Sequence, residues 1–285
     1  MERIMVVGAG QMGSGIAQVH IEAGFQVILH DIDREHLDKG RQTIADNLER
    51  NVKKQRISEQ EKAEMLARIR YTTDFNEAKH ADLIIEAAVE KLDVKRDIFL
   101  TLDQIAPKET ILATTTSALP ITELAATTRR PDKVIGMHFM NPVPVMKLVE
   151  IIRALQTSDD VFQTIEALAY KLKKTPVTVR DFPGFVSNRI LMPMINEAIF
   201  ALYEGVAEKE AIDEVMKLGM NHPMGPLALA DLIGLDTCLY IMETLHEQFG
   251  DDKYRPCPLL RKYVEAGWLG RKTGRGFYTY HSSEA

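Results

Sequence analysis

The chain has 285 residues, 45% of them hydrophobic and 27% charged, which excludes a disordered or collagen-like protein and is typical of one large or two smaller globular domains. Its net charge of -6 argues against a nucleic-acid-binding protein, which needs an extended basic face. The longest apolar runs, such as residues 83–89, fall far short of the roughly 20 residues that span a bilayer, so we expect no membrane segment.

The amino terminus enters an apolar strand-like run directly, without the basic and hydrophobic segments of an export signal. Cys238 and Cys257 lie outside any cluster with the spacing of metal ligands. We therefore predict a cytoplasmic protein with two unreactive thiols and no metal site.

The first thirty residues read as a strand, a helix and a second strand, in the segments "RIMVVGAG", "SGIAQVHIEAG" and "FQVILHD". Both strands are nearly continuous apolar runs, which predicts central strands of a parallel sheet covered on both faces. The charged segment 34–70 has helical spacing, and Ser58 with Glu61 forms a capping-box start for its second helix. The expected fold is a Rossmann-type, mostly parallel α/β sheet with a projecting helical hairpin.

Further strand patterns predict that the sheet continues, and helices are expected around residues 91–106, 120–128 and 159–173. The strand segments are "ADLIIEAAV", "ETILATTTS", "DKVIGMHF", "KLVEII" and "TPVTVRD".

A domain boundary is predicted at Pro183 and Gly184, after which only helical patterns follow. Residues 1–183 would form the α/β sheet domain, and residues 184–285 a smaller all-helical domain. The helix predicted over residues 185–203 is apolar nearly all round and should be buried on all sides. About a hundred residues cannot easily bury such a helix alone, so we expect a homodimer through this domain.

The segment "GAGQMG" fits the G-x-G-x-x-G pattern and lies between a predicted strand and a predicted helix. Gly8 would allow the tight turn, Gly10 the approach of a pyrophosphate, and Gly13 close packing of helix on strand. The helix amino terminus would offer free N–H groups to the phosphate. The pattern alone is weak, since a glycine turn can arise without a ligand. The predicted contacts to the cofactor are Gly8, Ala9, Gly10, Gln11, Met12 and Gly13.

The second predicted strand ends at Asp31, where an acidic side chain reaches the ribose hydroxyls of an adenosine. Together with the glycine pattern, Asp31 predicts a dinucleotide site. Because Asp31 would repel a 2′-phosphate and no arginine follows until Arg34, the sequence favours NAD over NADP.

The stretch "MHFMNPVPVMKLVE" places His138 and Glu150 on two strand-like runs joined by turn residues, which predicts an antiparallel pair at the edge of the sheet. If the turn centres on Pro144, the two side chains face each other, roughly 5 Å apart at Cβ. Glu150 would then hold the imidazole tautomer and stabilise the protonated ring, making His138 a general base. Spacing alone leaves open a buried histidine that is satisfied by a chance acid.

Four segments, "GAGQMGSGIAQV", "HFMNPVPVMKLVEII", "PGFVSNRIL" and "GRKTGRGFY", together resemble the L-3-hydroxyacyl-CoA dehydrogenase family. The resemblance runs through essentially the whole chain, and the length without a fused domain is similar to that of the bacterial 3-hydroxybutyryl-CoA dehydrogenases.

The resemblance implies that His138 is catalytic with Glu150 as its partner, and that Ser117 and Asn188 lie against the substrate's 3-oxygen. Ser117 follows a predicted strand end, and Asn188 belongs to the second domain, so the resemblance implies an active site in the cleft between domains. Without the resemblance, these two residues would read as a loop-capping hydroxyl and a surface amide.

For the cofactor, the resemblance adds Glu90, Lys95, Asn141 and Lys272, and Ser117 also belongs to this set. Glu90 and Lys95 taken alone would read as an ordinary solvated pair at a helix start. One departure is visible, because this chain has Thr115 where many relatives have asparagine. The side-chain amide of that asparagine is therefore lost here, although a threonine hydroxyl supplies one donor and one acceptor.

A coenzyme A substrate carries several phosphate charges, and the basic segment "RNVKKQR" at residues 50–56 offers a local positive patch. The resemblance implies that Lys54 and, more loosely, Asn47 contact the coenzyme A moiety. The alternative is a basic helix tip that is only solvated surface.

The expected reaction is reversible hydride transfer between a 3-hydroxyacyl-CoA and NAD, with His138 and Glu150 as the acid–base pair. Two rivals remain at this point. One is a relative that uses the same pair on a non-CoA hydroxy acid, and the other is a non-catalytic dinucleotide-binding homologue.

Overall fold

The computed structural model describes residues 1–280, and the chain divides into two compact units, one from Met1 to Asp181 and one that begins at Phe182. The first unit is built on an eight-stranded sheet. Its strands are β1 (Arg3–Val7), β2 (Gln26–His30), β3 (Ile69–Thr72), β4 (Leu83–Glu86), β5 (Ile111–Thr114), β6 (Val134–Phe139), β7 (Leu148–Arg153) and β8 (Thr175–Arg180). Its helices are α1 (Gln11–Glu22), α2 (Arg34–Lys53), α3 (Glu59–Leu66), α4 (Leu92–Ile105), α5 (Ile121–Ala126) and α6 (Asp159–Lys171).

The strand order is β3-β2-β1-β4-β5-β6-β7-β8, and the strands from β3 to β6 in this order are parallel. The predicted Rossmann-type sheet with β1 and β2 in its interior is therefore confirmed. The sequence analysis missed β3, a four-residue edge strand whose first two residues it had assigned to the hairpin. So short a strand, inside a charged segment and buried only at its two ends, carries almost no alternation signal.

The predicted helical hairpin is formed by α2 and α3, and Ser58 caps α3 in the capping box read from the sequence. Ile44 and Leu48 of α2 are fully buried and belong to the core that packs on the sheet. Helix α3 has no fully buried residue. The buried face of α2 therefore belongs to the core, and the rest of the hairpin lies at the surface.

Strand β7 runs antiparallel to β6, with His138 opposite Glu150 and Gly136 opposite Ile152. This register is the one that a turn centred on Pro144 predicts. The expected position at the sheet edge is wrong by one strand, because β8 pairs with the far side of β7 in parallel.

The second unit is helical, and its core contains buried residues of α7, α9, α10 and α11. Its helices are α7 (Ser187–Tyr203), α8 (Lys209–Gly219), α9 (Pro226–Ile233), α10 (Leu235–Phe249) and α11 (Pro258–Glu265). Within one chain, α7 leaves Ile190 67% exposed and Tyr203 55% exposed. The expectation that a homodimer buries this helix on all sides stays a prediction. None of the helices between residues 1 and 280 is both long and apolar enough to cross a membrane.

Candidate active site

The glycine-rich loop joins β1 to α1 in a conformation that only glycine allows at two positions. Gly8 has a φ of 106°, and a Cβ there would lie 2.5 Å from the carbonyl oxygen of Ala87. A Cβ on Gly13 would lie 1.8 Å from the carbonyl oxygen of Gly8, so helix and loop touch backbone to backbone. Gly10 has no other residue's atoms within 4 Å of such a Cβ, and no side chain caps the start of α1. This open, uncapped helix start fits a dinucleotide pyrophosphate, as predicted for Gly10.

Asp31 follows β2 and braces the loop from the next strand. Its Oδ2 accepts a hydrogen bond from the Ala9 amide at 2.8 Å, and its Oδ1 accepts one from the Asp33 amide at 3.1 Å and contacts His36 Nδ1 at 3.2 Å. Burial opposes ionisation of Asp31, but the amides of Ala9 and Asp33 together with His36 outweigh it and lower the pKa of this carboxyl. The carboxylate is therefore ionised at neutral pH.

A cavity of about 780 Å³ lies between the glycine-rich loop and Asp31, and α2 closes one side of it. The sequence reading missed Gly40 of α2, where a Cβ would lie 2.8 Å from both the Ala9 carbonyl oxygen and Ser14 Oγ. An isolated glycine inside a helical pattern costs about 1 kcal/mol relative to alanine. Its presence in the predicted helix was therefore the available sequence signal for a close backbone approach.

A buried ion pair stands at the end of β4. Lys95 Nζ donates to both carboxylate oxygens of Glu86 at 2.8 Å, and the two side chains are 1% and 0% exposed. Thr114 Oγ1 and the Ala88 amide also donate to Glu86, at 2.7 and 2.6 Å. Glu86 was not among the predicted site residues, although an acid that ends a fully apolar strand is the kind of residue that needs a buried partner.

Glu90 continues this network towards the loop after β5. Its Oε1 accepts hydrogen bonds from Thr116 Oγ1 at 2.5 Å and from the Ser117 amide at 2.8 Å, and its Oε2 lies 3.4 Å from Lys95 Nζ. The reading of Glu90 and Lys95 as an ordinary solvated pair is therefore wrong, because Lys95 is inaccessible to solvent. Both residues hold the loop that carries Ser117.

Thr115, the departure noted above, donates its backbone amide to the carbonyl oxygen of Glu86 at 2.9 Å. Its Oγ1 is buried and has no hydrogen-bond partner among residues 1–280. A buried hydroxyl without a partner is unusual, so this position keeps the capacity for a polar contact.

His138 and Glu150 form a direct pair, with His138 Nδ1 2.7 Å from Glu150 Oε2. The two residues are 7% and 2% exposed. A carboxylate can only accept a hydrogen bond, so Nδ1 carries the proton and Nε2 is the basic nitrogen of the neutral ring. The predicted pairing is confirmed, since the register places the two side chains face to face on adjacent strands. The catalytic role of the pair stays a prediction.

The predicted residues of the first unit meet at the carboxyl-terminal edge of the parallel sheet. Gly8 and Asp31 directly follow β1 and β2, and Glu90 and Ser117 follow β4 and β5. His138 is the next-to-last residue of β6, and Asn141 follows that strand. Because ligands of open α/β sheets bind at this edge, one site can contain all of these residues.

The basic segment lies at the tip of the hairpin. Lys54 is the C-cap residue that follows α2, and it is exposed. Asn47 is tied into the protein, since its Nδ2 donates to Gln18 Oε1 at 2.8 Å and the Arg50 guanidinium donates to its Oδ1. Lys54 is thus the more accessible of the two predicted coenzyme A contacts.

Two predicted residues belong to the second unit. Asn188 lies in the first turn of α7 and is buried, and its backbone N–H donates to the Gly184 carbonyl at 3.1 Å. Lys272 Nζ contacts the two carboxylate oxygens of Asp236 at 2.5 and 2.6 Å. Their roles towards substrate and cofactor stay predictions.

The motif that carries Lys272 also has a structural role. The amides of Phe277 and Tyr278 donate to the two oxygens of Asp231, each at 2.9 Å, and a Cβ on Gly276 would lie 1.9 Å from Asp231 Oδ1. Burial raises the pKa of Asp231, and the two amides counteract it only in part. The glycines of this motif therefore let the chain wrap a buried carboxyl.

Both cysteines are free and buried, and burial raises the pKa of Cys238 to about 12. Within residues 1–280 no group of three or more histidine, cysteine, aspartate or glutamate side chains could hold a metal ion. The predicted cytoplasmic location stays a prediction.

Family models and known proteins match this chain over nearly all of its length. The family model described as 3-hydroxyacyl-CoA dehydrogenase, NAD binding domain, matches residues 3–182, and that of the C-terminal domain matches residues 184–280. A Bacillus subtilis protein named "Probable 3-hydroxybutyryl-CoA dehydrogenase" is 61% identical over 280 residues, 98% of each chain. A 3-hydroxybutyryl-CoA dehydrogenase of Bradyrhizobium diazoefficiens is 54% identical over 284 residues, which cover 100% of this chain and 97% of the relative. The crystal structure of (S)-3-hydroxybutyryl-CoA dehydrogenase from Ralstonia eutropha is 53% identical and superposes with a TM-score of 0.96, covering 99% of this chain and 100% of that one.

Proposed function

Because the chain belongs to the 3-hydroxyacyl-CoA dehydrogenase family, we propose that it interconverts (S)-3-hydroxyacyl-CoA, foremost 3-hydroxybutyryl-CoA, and 3-oxoacyl-CoA with NAD as cofactor. The observation that carries the proposal is the buried pair of His138 and Glu150. The pair lies at the carboxyl-terminal ends of the parallel strands, where the glycine-rich loop and Asp31 also lie.

The acid–base work falls to His138. In the oxidation direction its Nε2 accepts the proton of the substrate's 3-hydroxyl group, and Glu150 stabilises the resulting imidazolium. In the reduction direction the imidazolium returns that proton to the 3-oxygen. Ser117 and Asn188 would hold this oxygen where its charge changes. The glycine-rich loop and Asp31 would hold NAD, which would accept the hydride in oxidation and donate it in reduction.

One assay separates this function from its two rivals. We expect the protein to oxidise NADH rapidly with acetoacetyl-CoA, and slowly or not at all with free acetoacetate or a keto sugar acid. Preference for either free acid would favour a dehydrogenase of non-CoA substrates. Absence of turnover with all three would favour a non-catalytic dinucleotide-binding protein.

The cofactor preference follows from Asp31. An ionised carboxylate at the ribose position repels a 2′-phosphate, and such juxtaposed like charges cost several kcal/mol, so kcat/KM should favour NADH over NADPH by on the order of 10² or more. Steady-state kinetics with both cofactors at saturating acetoacetyl-CoA measure this ratio. Equal kcat/KM values would contradict the assignment of Asp31.

Lys54 is proposed to contact a phosphate of coenzyme A from the hairpin tip. Lys54→Ala should raise KM for acetoacetyl-CoA about three- to tenfold with little change in kcat, since a largely exposed ion pair contributes roughly 1 kcal/mol. Lys79→Ala is the matched control, because this exposed lysine lies near the opposite, amino-terminal ends of β1, β4 and β5. An unchanged KM in Lys54→Ala, or an equal rise in Lys79→Ala, would remove Lys54 from the site.

A homodimer through the second unit is the proposed assembly. This unit exposes large apolar side chains on α8 and beside it, with Leu218 78% exposed, Val206 73% and Val215 60%. Leu218 and Val215 are three residues apart on one helix face, the spacing of a packed helix rather than of solvated surface.

We expect the parent protein to sediment as a dimer at micromolar concentration, and the double variant Val215→Glu, Leu218→Glu to sediment as a monomer. The control is Leu155→Glu in the first unit, where an isolated leucine is 91% exposed. A monomeric parent, or a double variant that remains dimeric, would refute this interface.

A further inference from the structure

The segment between His138 and Glu150 forms a turn, residues 140–147, which we call the dyad turn. Inside it the amides of Val145 and Met146 both donate to the Pro142 carbonyl, at 3.0 Å each. These two local hydrogen bonds close the turn but do not fasten it to the rest of the protein. The path of the dyad turn governs how β7 returns along β6, and therefore how Glu150 meets His138.

Lys174 fastens the dyad turn from outside. Its Nζ donates to the carbonyl oxygens of Val143 at 2.5 Å and Met146 at 2.7 Å, and the residue is only 7% exposed. Among residues 1–280 no carboxylate oxygen lies within 4.0 Å of this ammonium group. A buried ammonium group is costly unless it is hydrogen-bonded, so its stabilisation comes from the dyad turn.

The position of Lys174 is set by the end of helix α6. The Lys174 amide donates to the Ala169 carbonyl and the Lys173 amide donates to the Tyr170 carbonyl, at 2.9 Å each. With Lys173 at a φ of 58°, this is a Schellman motif, which fixes the direction of the chain as it leaves the helix. The next residue, Thr175, starts β8 and donates its amide to the Lys147 carbonyl at 2.7 Å.

The opposite side of the dyad turn rests on helix α1. Val143 is 2% exposed, and a Cβ on Gly15 would lie 2.9 Å from Val143 Cβ and 3.4 Å from Pro144 Cδ. Helix α1 begins at the glycine-rich loop. The dyad turn is thus held between Lys174 and the helix whose start would bind the cofactor phosphates.

We propose that Lys174 is a positioning residue for the catalytic pair, which seats the dyad turn on α1 and thereby fixes His138 and Glu150 relative to the cofactor loop. Lys174 touches neither reacting atoms nor cofactor in this role. Burial lowers the pKa of Lys174, while the charge of Glu22 on α1 opposes this shift. The kinetic test of this proposal rests on the proposed function, whereas its structural test does not depend on that function.

The kinetic test compares Lys174→Met with Lys173→Met, a change of the adjacent exposed lysine. We expect kcat with acetoacetyl-CoA to fall about 10- to 100-fold in Lys174→Met, the scale of a catalytic group misplaced by about 1 Å. The Kd for NADH should stay within about threefold of the parent value, since neither Asp31 nor the glycine-rich loop is altered. Lys173→Met should leave both quantities unchanged.

The structural test is the Cε1–H signal of His138 in protein labelled with ¹³C-histidine, assigned by its absence in His138→Gln. We expect this signal to shift or broaden in Lys174→Met and to stay in place in Lys173→Met. An inactive parent would refute the proposed function, while this comparison would still test Lys174.

Three results would overturn the role of Lys174. One is a folded Lys174→Met with parental kcat and an unshifted His138 signal. Another is a loss in Lys174→Met that Lys173→Met reproduces. If Lys174→Met does not fold, Lys174→Gln replaces it in both measurements with the same expected direction, and failure of both variants to fold would make Lys174 a residue of stability instead.

Discussion

Replacing His138 by glutamine is expected to lower kcat with acetoacetyl-CoA by on the order of 10² to 10⁴, the scale of general acid–base catalysis. Glutamine has nearly the same length and can still contact Glu150, but it cannot take up and return a proton at neutral pH. The 3-oxygen of the substrate would then have to exchange its proton with water. The loss should appear in both directions of the reaction, because the same nitrogen serves as base in one and its conjugate acid in the other.

Binding of NADH should survive this change, since the cavity beside Asp31 and the glycine-rich loop does not contain His138. Fluorescence titration should give a Kd within about twofold of the parent value. His80→Gln provides the matched control, because His80 is exposed and lies near the amino-terminal ends of the parallel strands. Turnover within a few-fold of the parent in His138→Gln would end the assignment of His138 as the acid–base residue.

The pairing of His138 with Glu150 could be predicted from the sequence because it depends on local rules. Side chains alternate along a strand, and two prolines between apolar runs mark a turn, so one assumed turn centre fixes every cross-strand pair. The glycine-rich loop was predictable for a similar reason, since its pattern stands between a strand and a helix. The outer neighbour β8 was not placed beside β7, because strand order across a sheet is not encoded in local alternation.

The supports of the site were not predictable in the same way. Glu86 with Lys95, Gly40 beneath the loop and Lys174 beneath the dyad turn each act on a segment that is distant in sequence. A lysine before a strand and a glycine within a helix have many ordinary explanations. Likewise the apolar character of α7 indicated burial, but the sequence could not distinguish the core of the second unit from a surface covered by another chain.

Glu150→Gln should lower kcat by on the order of 10² to 10⁴, although Glu150 itself exchanges no proton with the substrate. The carboxylate accepts from Nδ1 of His138 at 2.7 Å and so keeps Nε2 unprotonated in the resting ring. A glutamine amide can donate to Nδ1 instead, which would place the ring proton on Nε2 and leave no base for the substrate hydroxyl. The neutral amide would also fail to offset the charge of the imidazolium in this buried site.

Comparison with Glu150→Asp separates the effect of the Glu150 charge and hydrogen-bond acceptor on His138 from the effect of its packing. Aspartate keeps the negative charge and the acceptor but draws them back by one methylene group, so we expect a smaller loss of kcat than in Glu150→Gln. KM for acetoacetyl-CoA and the Kd for NADH should stay within about threefold in both variants, because Glu150 is 2% exposed and lies behind the imidazole. If Glu150→Gln turned over at the parental rate, or if Glu150→Asp lost more activity than Glu150→Gln at equal thermal stability, Glu150 would act through packing and not through the orientation and charge of His138.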